Sequence, residues 1–450
     1  MSDGKFSIPR ESIPANWSIC RVEDVGTVQL GRQRSPKDHN GPHMRPYLRA
    51  ANVFEDRIDT SDVKEMNFTP EEFENFRLRE GDILLNEGQS LELVGRPAMF
   101  RGEVADCCFQ NTLVRFVPAS VLDGRFALKL FQHYMRNGRF QKIARWTTNI
   151  AHLGASRFAE LEIPLPPLAE QKRIVAKIEE LFSELEAGEE SLRVARRQLG
   201  VYRQSLLKQA FEGNLTAKWR TQNPAQLESP LWREVEVSEV LTSKPTNGRS
   251  VKDRAGGFRV LRLTAIKAGV IDTNENKEGD WDAADAAAHV IRKGNFLLSR
   301  GNGSIRLVGR GGIVREDADI AFPDTMIRLP LNLQLVDPLF FSYLWNSHQV
   351  RQQIEASART TAGIYKINQG LLTRYRLPIC SLPEQQGIVR LLDAQFEVIE
   401  RNEREIDAAL QRSEALRQAI LKKAFTGRLV PQSPADEPAS ASLARLRVVP

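Results

Sequence analysis

Leu168-Ala169-Glu170-Gln171-Lys172-Arg173-Ile174-Val175 returns 214 residues on as Leu382-Pro383-Glu384-Gln385-Gln386-Gly387-Ile388-Val389. About forty residues further along, Lys208-Gln209-Ala210-Phe211-Glu212-Gly213-Asn214-Leu215 returns at the same offset as Lys422-Lys423-Ala424-Phe425-Thr426-Gly427-Arg428-Leu429. The stretch between the two anchors therefore has one length in both copies. A free linker would drift in length, because loop-closure entropy grows only slowly with it. A rigid helix would not. The repeat reads as two matched helices, and the rest of the chain is placed around them.

From Ile174, alternating steps of four and three land on Ile174, Ile178, Leu181, Leu185, Gly188, Leu192, Ala195, Leu199, Tyr202 and Leu206, with Phe182 beside the seam. Strong helix formers fill the gaps, so this is a coiled-coil seam of about five heptads. The second copy reads Ile388, Leu392, Gln395, Ile399, Asn402, Ile406, Ala409, Ser413, Leu416 and Ile420, with Phe396 alongside. Polar seam positions cost stability while fixing register. Each helix follows prolines, Pro164 to Pro167 and Pro378 to Pro383, and Gly213 and Gly427 stand where a C-terminal glycine ends a helix. A helix of ~40 residues is about 60 Å long and cannot bury a one-sided stripe alone. The two copies are expected to pack on each other, since two unrelated helices would leave both stripes in water.

Around the helices, two segments of mixed character correspond more faintly. Trp17 to Val25 matches Trp232 to Val240, and Tyr47-Leu48-Arg49-Ala50-Ala51-Asn52-Val53 matches Val260-Leu261-Arg262-Leu263-Thr264-Ala265-Ile266. Gly81-Asp82-Ile83-Leu84-Leu85 matches Gly294-Asn295-Phe296-Leu297-Leu298, and Leu93-Val94-Gly95-Arg96 matches Leu307-Val308-Gly309-Arg310. Short apolar runs punctuated by Gly, Asn and Asp, with a helical stretch from Phe126 to Ile143, indicate α+β domains. The expected organisation is an N-terminal segment (1–14), an α+β domain (15–166), a helix (167–216), a linker (217–229), a second α+β domain (230–380), a second helix (381–429) and a disordered Pro/Ala/Ser-rich tail (430–450).

The 450 residues suffice for several domains with real cores. A net charge of +6 permits nucleic acid as a partner without demanding it. The four cysteines show no paired spacing, which argues against a zinc site or a disulfide framework and for a reducing cytoplasm. The most apolar long run, Leu329 to Trp345, contains Asp337 and Pro338 and falls short of the ~20 residues a membrane span needs. Catalytic signals are sparse: there is no phosphate-binding G-x-x-x-x-G-K-[S/T] loop and no H-E-x-x-H metal pair. No catalytic residue and no metal ligand is assigned.

What remains is binding. Each domain has a basic loop early on, offering Arg32, Arg34 and Lys37 in the first and Arg249 and Lys252 in the second. Each has a polar loop after the Leu-Leu strand, with Gln89 in the first and Arg300 and Arg306 in the second. A third pair holds Thr148 and Asn149, against Thr361 and Lys366. Such side chains grip phosphates and read base edges. Taken singly, any of these residues also fits an ordinary solvated turn; taken as a set, the three loops point to binding.

The paired segments Pro164-Leu165-Pro166-Pro167-Leu168-Ala169-Glu170-Gln171 and Leu382-Pro383-Glu384-Gln385 resemble the P-L-P-P-L-x-E-Q hallmark of the DNA-specificity subunits of type I restriction–modification enzymes. The phrases Pro46 to Val53 and Gly81 to Gly88, through Leu93-Val94-Gly95-Arg96, also look like this family's target recognition domains. The second copy departs at Cys380-Ser381 and at Gly387. The resemblance implies two target recognition domains separated by an antiparallel helix pair. Each domain would engage one half of a split, asymmetric site in double-stranded DNA, in a prokaryotic cytoplasm. Glu170, Gln171, Glu384 and Gln385 would mark the helix starts. The seam residues would pack the helices and dock two methyltransferase subunits using S-adenosylmethionine. Restriction/translocase subunits needing ATP and Mg²⁺ would join, and this chain would carry no cofactor. The competing readings are a coiled-coil scaffold with protein-binding globules, and a self-sufficient restriction–methylation enzyme, whose motifs are not found.

Overall fold

The computed structural model describes residues 8–147, 149–226, 231–361 and 363–448. The chain divides into two compact units, Met1–Ser191 with Ala408–Pro450, and Leu192–Asp407. Both expected helices form, as Leu168–Phe211 and Leu382–Ala424. The division falls inside each of them, so each unit holds one α+β domain and one part of each helix.

In the first unit a four-stranded antiparallel sheet runs in the order Gly26–Leu30, Leu113–Pro118, Ile83–Asn86, Pro97–Met99. The strand Ile83–Asn86 is apolar at successive positions because it is covered on both faces. Ile83 and Leu85 enter one buried cluster with Phe126 and Phe131, whereas Leu84 enters another with Leu48 and Phe109. Asp123 caps the helix Gly124–Arg136 by accepting from the N–H groups of Arg125 and Phe126. The single helical stretch expected from Phe126 to Ile143 is in fact two, because Gly138, at φ 78°, turns the chain before Arg139–Ile143.

The second unit repeats the plan. Its six-stranded sheet includes Met326–Pro330, Asn295–Ser299 and Gly311–Ile313 as neighbours. Phe296 and Leu298 pack on one side and Leu297 on the other. Asp337 caps the helix Pro338–Trp345, with Pro338 in its first turn. In each unit the domain's first and last strands pair, Ser18–Arg21 with Glu162–Leu165 and Trp232–Glu236 with Arg376–Cys380. That ribbon leads directly into the long helix.

The repeated Glu-Gln has a physical explanation in both copies. Gln171 accepts from the Asp123 N–H at 2.7 Å and donates to the carbonyls of Val121 at 3.0 Å and Pro166 at 2.9 Å. Gln385 accepts from the Asp337 N–H at 2.8 Å and donates to Leu335 at 3.0 Å and Cys380 at 2.8 Å. One buried amide thus ties the cap of the domain helix to the start of the long one. The neighbouring carboxylates are buried too: Glu170 accepts from Gln432 at 2.6 Å, and Glu384 from Thr216 and Arg220 at 2.6 and 2.5 Å.

The helices pair antiparallel within each unit. In the first, Ile174, Val175 and Ile178 share a cluster with Leu421, Ala424 and Phe425, while Glu189 meets Ser413 at 2.7 Å and Arg417 at 3.2 Å. In the second, Leu206 and Phe211 share a cluster with Ile388, Leu392, Phe396 and Ile399, and Arg196 meets Asp407 at 2.7 Å. Ile406 is also buried, and Phe182 and Ile420 pack against the first cluster. Leu181, Leu185, Leu192 and Leu199 are only half-buried, because one partner helix covers one side of a seam. Both helices end before a left-handed glycine, Gly213 at φ 75° and Gly427 at φ 69°. A Cβ at Gly213 would also stand 2.9 Å from the Trp232 indole nitrogen.

Three further expectations need correction. Leu416 is not in the packed seam: it is 52% exposed, and Arg417 takes the place, laying its guanidinium 5.0 Å from the Phe182 ring centroid. Over its described residues, 430–448, the tail is not disordered, since Ala439–Val448 is helical and Ala439 and Leu443 enter the first unit's core. Its Asp436 pairs with Arg173 at 2.6 Å. The 217–229 linker likewise contains a helix, Ala217–Gln222, which carries Arg220 to Glu384.

Candidate nucleic-acid interface

In each domain the second and third polar loops join into one small sheet. After the strand Ile83–Asn86, the Glu87 N–H donates to the Thr112 carbonyl at 2.9 Å, and the Glu87 carbonyl accepts from Leu153 at 2.7 Å. Gly88 then pairs with His152 and Gln89 with Ala151, beside the strand Arg145–Trp146. In the second domain the Arg300 N–H donates to Thr325 at 2.8 Å and the Arg300 carbonyl accepts from Ile367 at 3.0 Å. Gly301 pairs with Lys366 and Asn302 with Tyr365, beside Arg359–Thr361.

The first loop adjoins this sheet. In the second domain Gln369 donates to the Asn247 side chain at 2.6 Å. Both line a cleft of about 410 Å³ with Arg300, Arg359, Lys366 and Asn368. Among its lining residues three are cations and three are amides, a composition suited to a polyanion with hydrogen-bonding edges. In the first domain Asn111 donates to the Arg32 carbonyl at 3.0 Å, next to the Thr112 that holds Glu87.

The sequence-derived candidates divide accordingly. Arg300 and Lys366 come together in the cleft, and Arg306 is exposed on the turn that follows. Gln89 is half-buried in the first domain's sheet, with Asn149 exposed on the adjoining hairpin. Thr148 and the side chain of Thr361 lie outside the described residues. Arg34 and Lys37 are exposed, Arg34 directing its Nε to His39 at 3.1 Å. Arg249 and Lys252 are exposed but do not line the cleft; Arg249 lies 5.9 Å from the Trp281 ring centroid.

Arg32 is committed elsewhere. Its guanidinium meets Glu72 at 2.8 Å and Asp38 at 3.2 Å and lies 5.1 Å from the Phe68 ring centroid. Burial opposes its charge, but the bonds to Glu72 and Asp38 outweigh that and raise its pKa above the usual arginine value. It braces the loop from within.

Sequence reading missed Arg145 and Arg359. Each is exposed and sits opposite the third loop's inner residue, Arg145 against His152 and Arg359 against Lys366. The signal was present: Ala144-Arg145 and Ala358-Arg359 repeat at the 214-residue offset of the helices. Exposed Trp146 and Ile150 flank the first of these arginines, and Ile364 lies on the second hairpin.

Residues 14–193 match the family model of the type I restriction modification DNA specificity domain. Over 434 residues the chain is 24% identical to the EcoKI specificity subunit of Escherichia coli strain K12, covering 95% of this chain and 92% of that protein. It is 26% identical over 438 residues to the StySPI specificity subunit of Salmonella potsdam, with coverage of 95% and 92%. Among solved structures, the HsdS subunit from Thermoanaerobacter tengcongensis is similar at a TM-score of 0.56 and 20% identity, covering 95% of this chain and 100% of that one. A chain from a structure of type I restriction–modification complex assembly and conformational transition is similar at a TM-score of 0.68 and 18% identity, covering 93% and 99%. Residues 14–193 thus match the type I restriction modification DNA specificity domain, and over nearly its whole length the chain, with its Glu-Gln helix starts and their buried amides duplicated, is similar to type I restriction–modification DNA specificity subunits.

Proposed function

We propose that this chain is the sequence-reading, non-catalytic subunit of a type I complex, and that each recognition domain engages one half of a bipartite, asymmetric double-stranded DNA site. The observation that carries this reading is the duplicated surface: one sheet-and-loop framework with an outward arginine in each unit, dressed with different side chains at matched positions. Unlike half-sites follow from unlike loops. The helices, ~60 Å at full length, would set the gap between half-sites, which at ~3.4 Å per base pair is at most about 18 pairs.

Exposed apolar side chains on the helices, Val201 at 71%, Val398 at 46% and Leu416 at 52%, supply surface for two modification subunits. Those subunits would bring S-adenosylmethionine for adenine methylation. Restriction/translocase subunits would bring ATP and Mg²⁺. Among the described residues no helix is long and apolar enough to cross a membrane.

The test is co-expression with a cognate modification subunit, followed by methylome mapping. A two-part adenine-methylated motif supports the reading, and a competent complex that methylates without sequence preference refutes it. DNA binding that does not weaken with salt would favour the protein-binding scaffold instead, since neutralising phosphates releases counterions.

A further inference from the structure

The two domains hold opposite charge at one framework position. Glu87 and Arg300 are pinned by equivalent backbone bonds, N–H to Thr112 or Thr325 and carbonyl from Leu153 or Ile367. The residues that follow, Gly88 and Gly301, pair with His152 and Lys366. Glu87 therefore corresponds to Arg300, and His152 to Lys366. The Glu87 carboxylate faces His152 Nδ1 at 2.9 Å, whereas Arg300 and Lys366 are two cations on one cleft. The outer strand does not vary in this way: Arg145 and Arg359 are both arginine and both exposed.

What the copies keep suits what every DNA half-site offers, which is phosphate. What they invert suits what differs between half-sites, which is the base edge. We propose that position 87/300 is a base-reading position: Arg300 reads a guanine in the second domain's half-site, and Glu87 reads an exocyclic amino group, of cytosine or adenine, in the first. Guanine presents two acceptors, O6 and N7, which the two-pronged guanidinium matches. A carboxylate only accepts, so it selects a base with an amino donor and rejects guanine O6. With one Glu87 oxygen on His152, the other retains acceptor capacity. Backbone held on both sides of the residue supplies the fixed geometry that discrimination needs. The loop cations Arg34, Lys37 and Lys252 are exposed and suit phosphate.

This inference rests on the reading of one domain per half-site. It is tested by methylome mapping of the full chain in complex with its modification subunit. Arg300→Ala is expected to relax one guanine position in one half-site by roughly ten- to a hundredfold, leaving the other half-site unchanged. Arg300→Lys keeps the charge but not the fork, and should relax the same position. Glu87→Gln, which adds a donor to the acceptor in the same shape, should relax one amino-bearing base in the other half-site. Lower methylation at an unchanged motif would overturn the proposal, because it marks a phosphate contact. So would relaxation at a base other than guanine for Arg300. Failure of the underlying reading looks different: the unsubstituted complex would then give no two-part motif at all.

Discussion

Replacing Gln171 with Leu is a demanding test of how each domain is fixed to its helix. The side chain is 0% exposed and makes three hydrogen bonds of 2.7–3.0 Å, one received from the Asp123 N–H and two donated to Val121 and Pro166. Leucine is of similar size, so the cost is polar rather than a cavity. A typical net hydrogen bond contributes ~1 kcal/mol, and a buried group stripped of its partner costs ~1–3 kcal/mol. Val121 and Pro166 carbonyls and the Asp123 N–H would all be left facing a hydrocarbon. The expected loss is about 3–5 kcal/mol. Gln385→Leu should cost the same to within ~1 kcal/mol, because its three bonds have the same partners by type and lengths of 2.8–3.0 Å.

Urea denaturation followed by hydrogen exchange in each domain separates the two effects. Gln171→Leu should lower protection at the start of the helix Gly124–Arg136, and Gln385→Leu at the start of Pro338–Trp345. Gln171→Glu is the sharper variant: an ionised carboxylate still accepts from Asp123 but cannot donate to either carbonyl. It should be no milder than Leu. A cost below ~1 kcal/mol for either variant would refute the idea that the amide is the lock.

The pH dependence of the first unit should show His133. Burial first, then Arg139 and Lys422, push its pKa down to about 4, and its ring stacks on Phe425 at 5.3 Å. Unfolding frees it to bind a proton from its ordinary 6.5, so stability should fall as pH drops through 6.5 towards 4; the loss is about 2–3 kcal/mol, and His133→Gln should flatten that slope in a denaturation series. Deleting residues 431–450 should cost about 3 kcal/mol in the first unit, since Ala439 and Leu443 leave the core and Glu170 loses Gln432. Asp436→Asn alone should cost under ~1 kcal/mol because its partner Arg173 is 38% exposed; equal effects would contradict the view that apolar contact seats the tail. Leu416→Glu should leave stability within ~0.5 kcal/mol and weaken association with a modification subunit in a pull-down. A large stability loss would return Leu416 to the seam.

The helices were legible because two independent signals coincide, a 3.5-residue seam and an unchanged offset. The recognition domains were legible as segments, from matched phrases, but not as surfaces. Arg32 shows why. From sequence it is one basic residue among several in a loop, and its partner Glu72 lies 40 residues away on a different element. A charge is available or spent according to its three-dimensional neighbours, which local sequence does not list. Leu416 failed for a related reason: heptad arithmetic counts apolar residues, but an arginine can lay its guanidinium on an aromatic ring in the seam and still reach a carboxylate. Arg417 does so against Phe182 and Glu189. The tail failed on composition, since Gln432 and Asp436 find partners more than 260 residues back in the chain.

The Glu-Gln pair marks the boundary between recognising a motif and explaining it. As sequence it announces a helix start, where either residue would satisfy an acceptor role at the positive end of the helix. In the structure the two positions are not interchangeable. Position 171 must donate twice and accept once, which an amide can do and a carboxylate cannot. Position 170 must only accept, from Gln432, and its counterpart Glu384 accepts from Thr216 and Arg220. Burial first, against the help of Gln432 and Trp17, holds the Glu170 carboxyl above its usual pKa. A raised carboxyl pKa means that this one group's contribution to stability is full below its unfolded-state pKa and is lost as pH rises through the folded-state value. Glu170→Gln removes that decline while keeping an acceptor for Gln432. The reverse exchange at 171 has no such remedy, so the order Glu then Gln follows from hydrogen-bond polarity, and the chain repeats it at the start of each long helix.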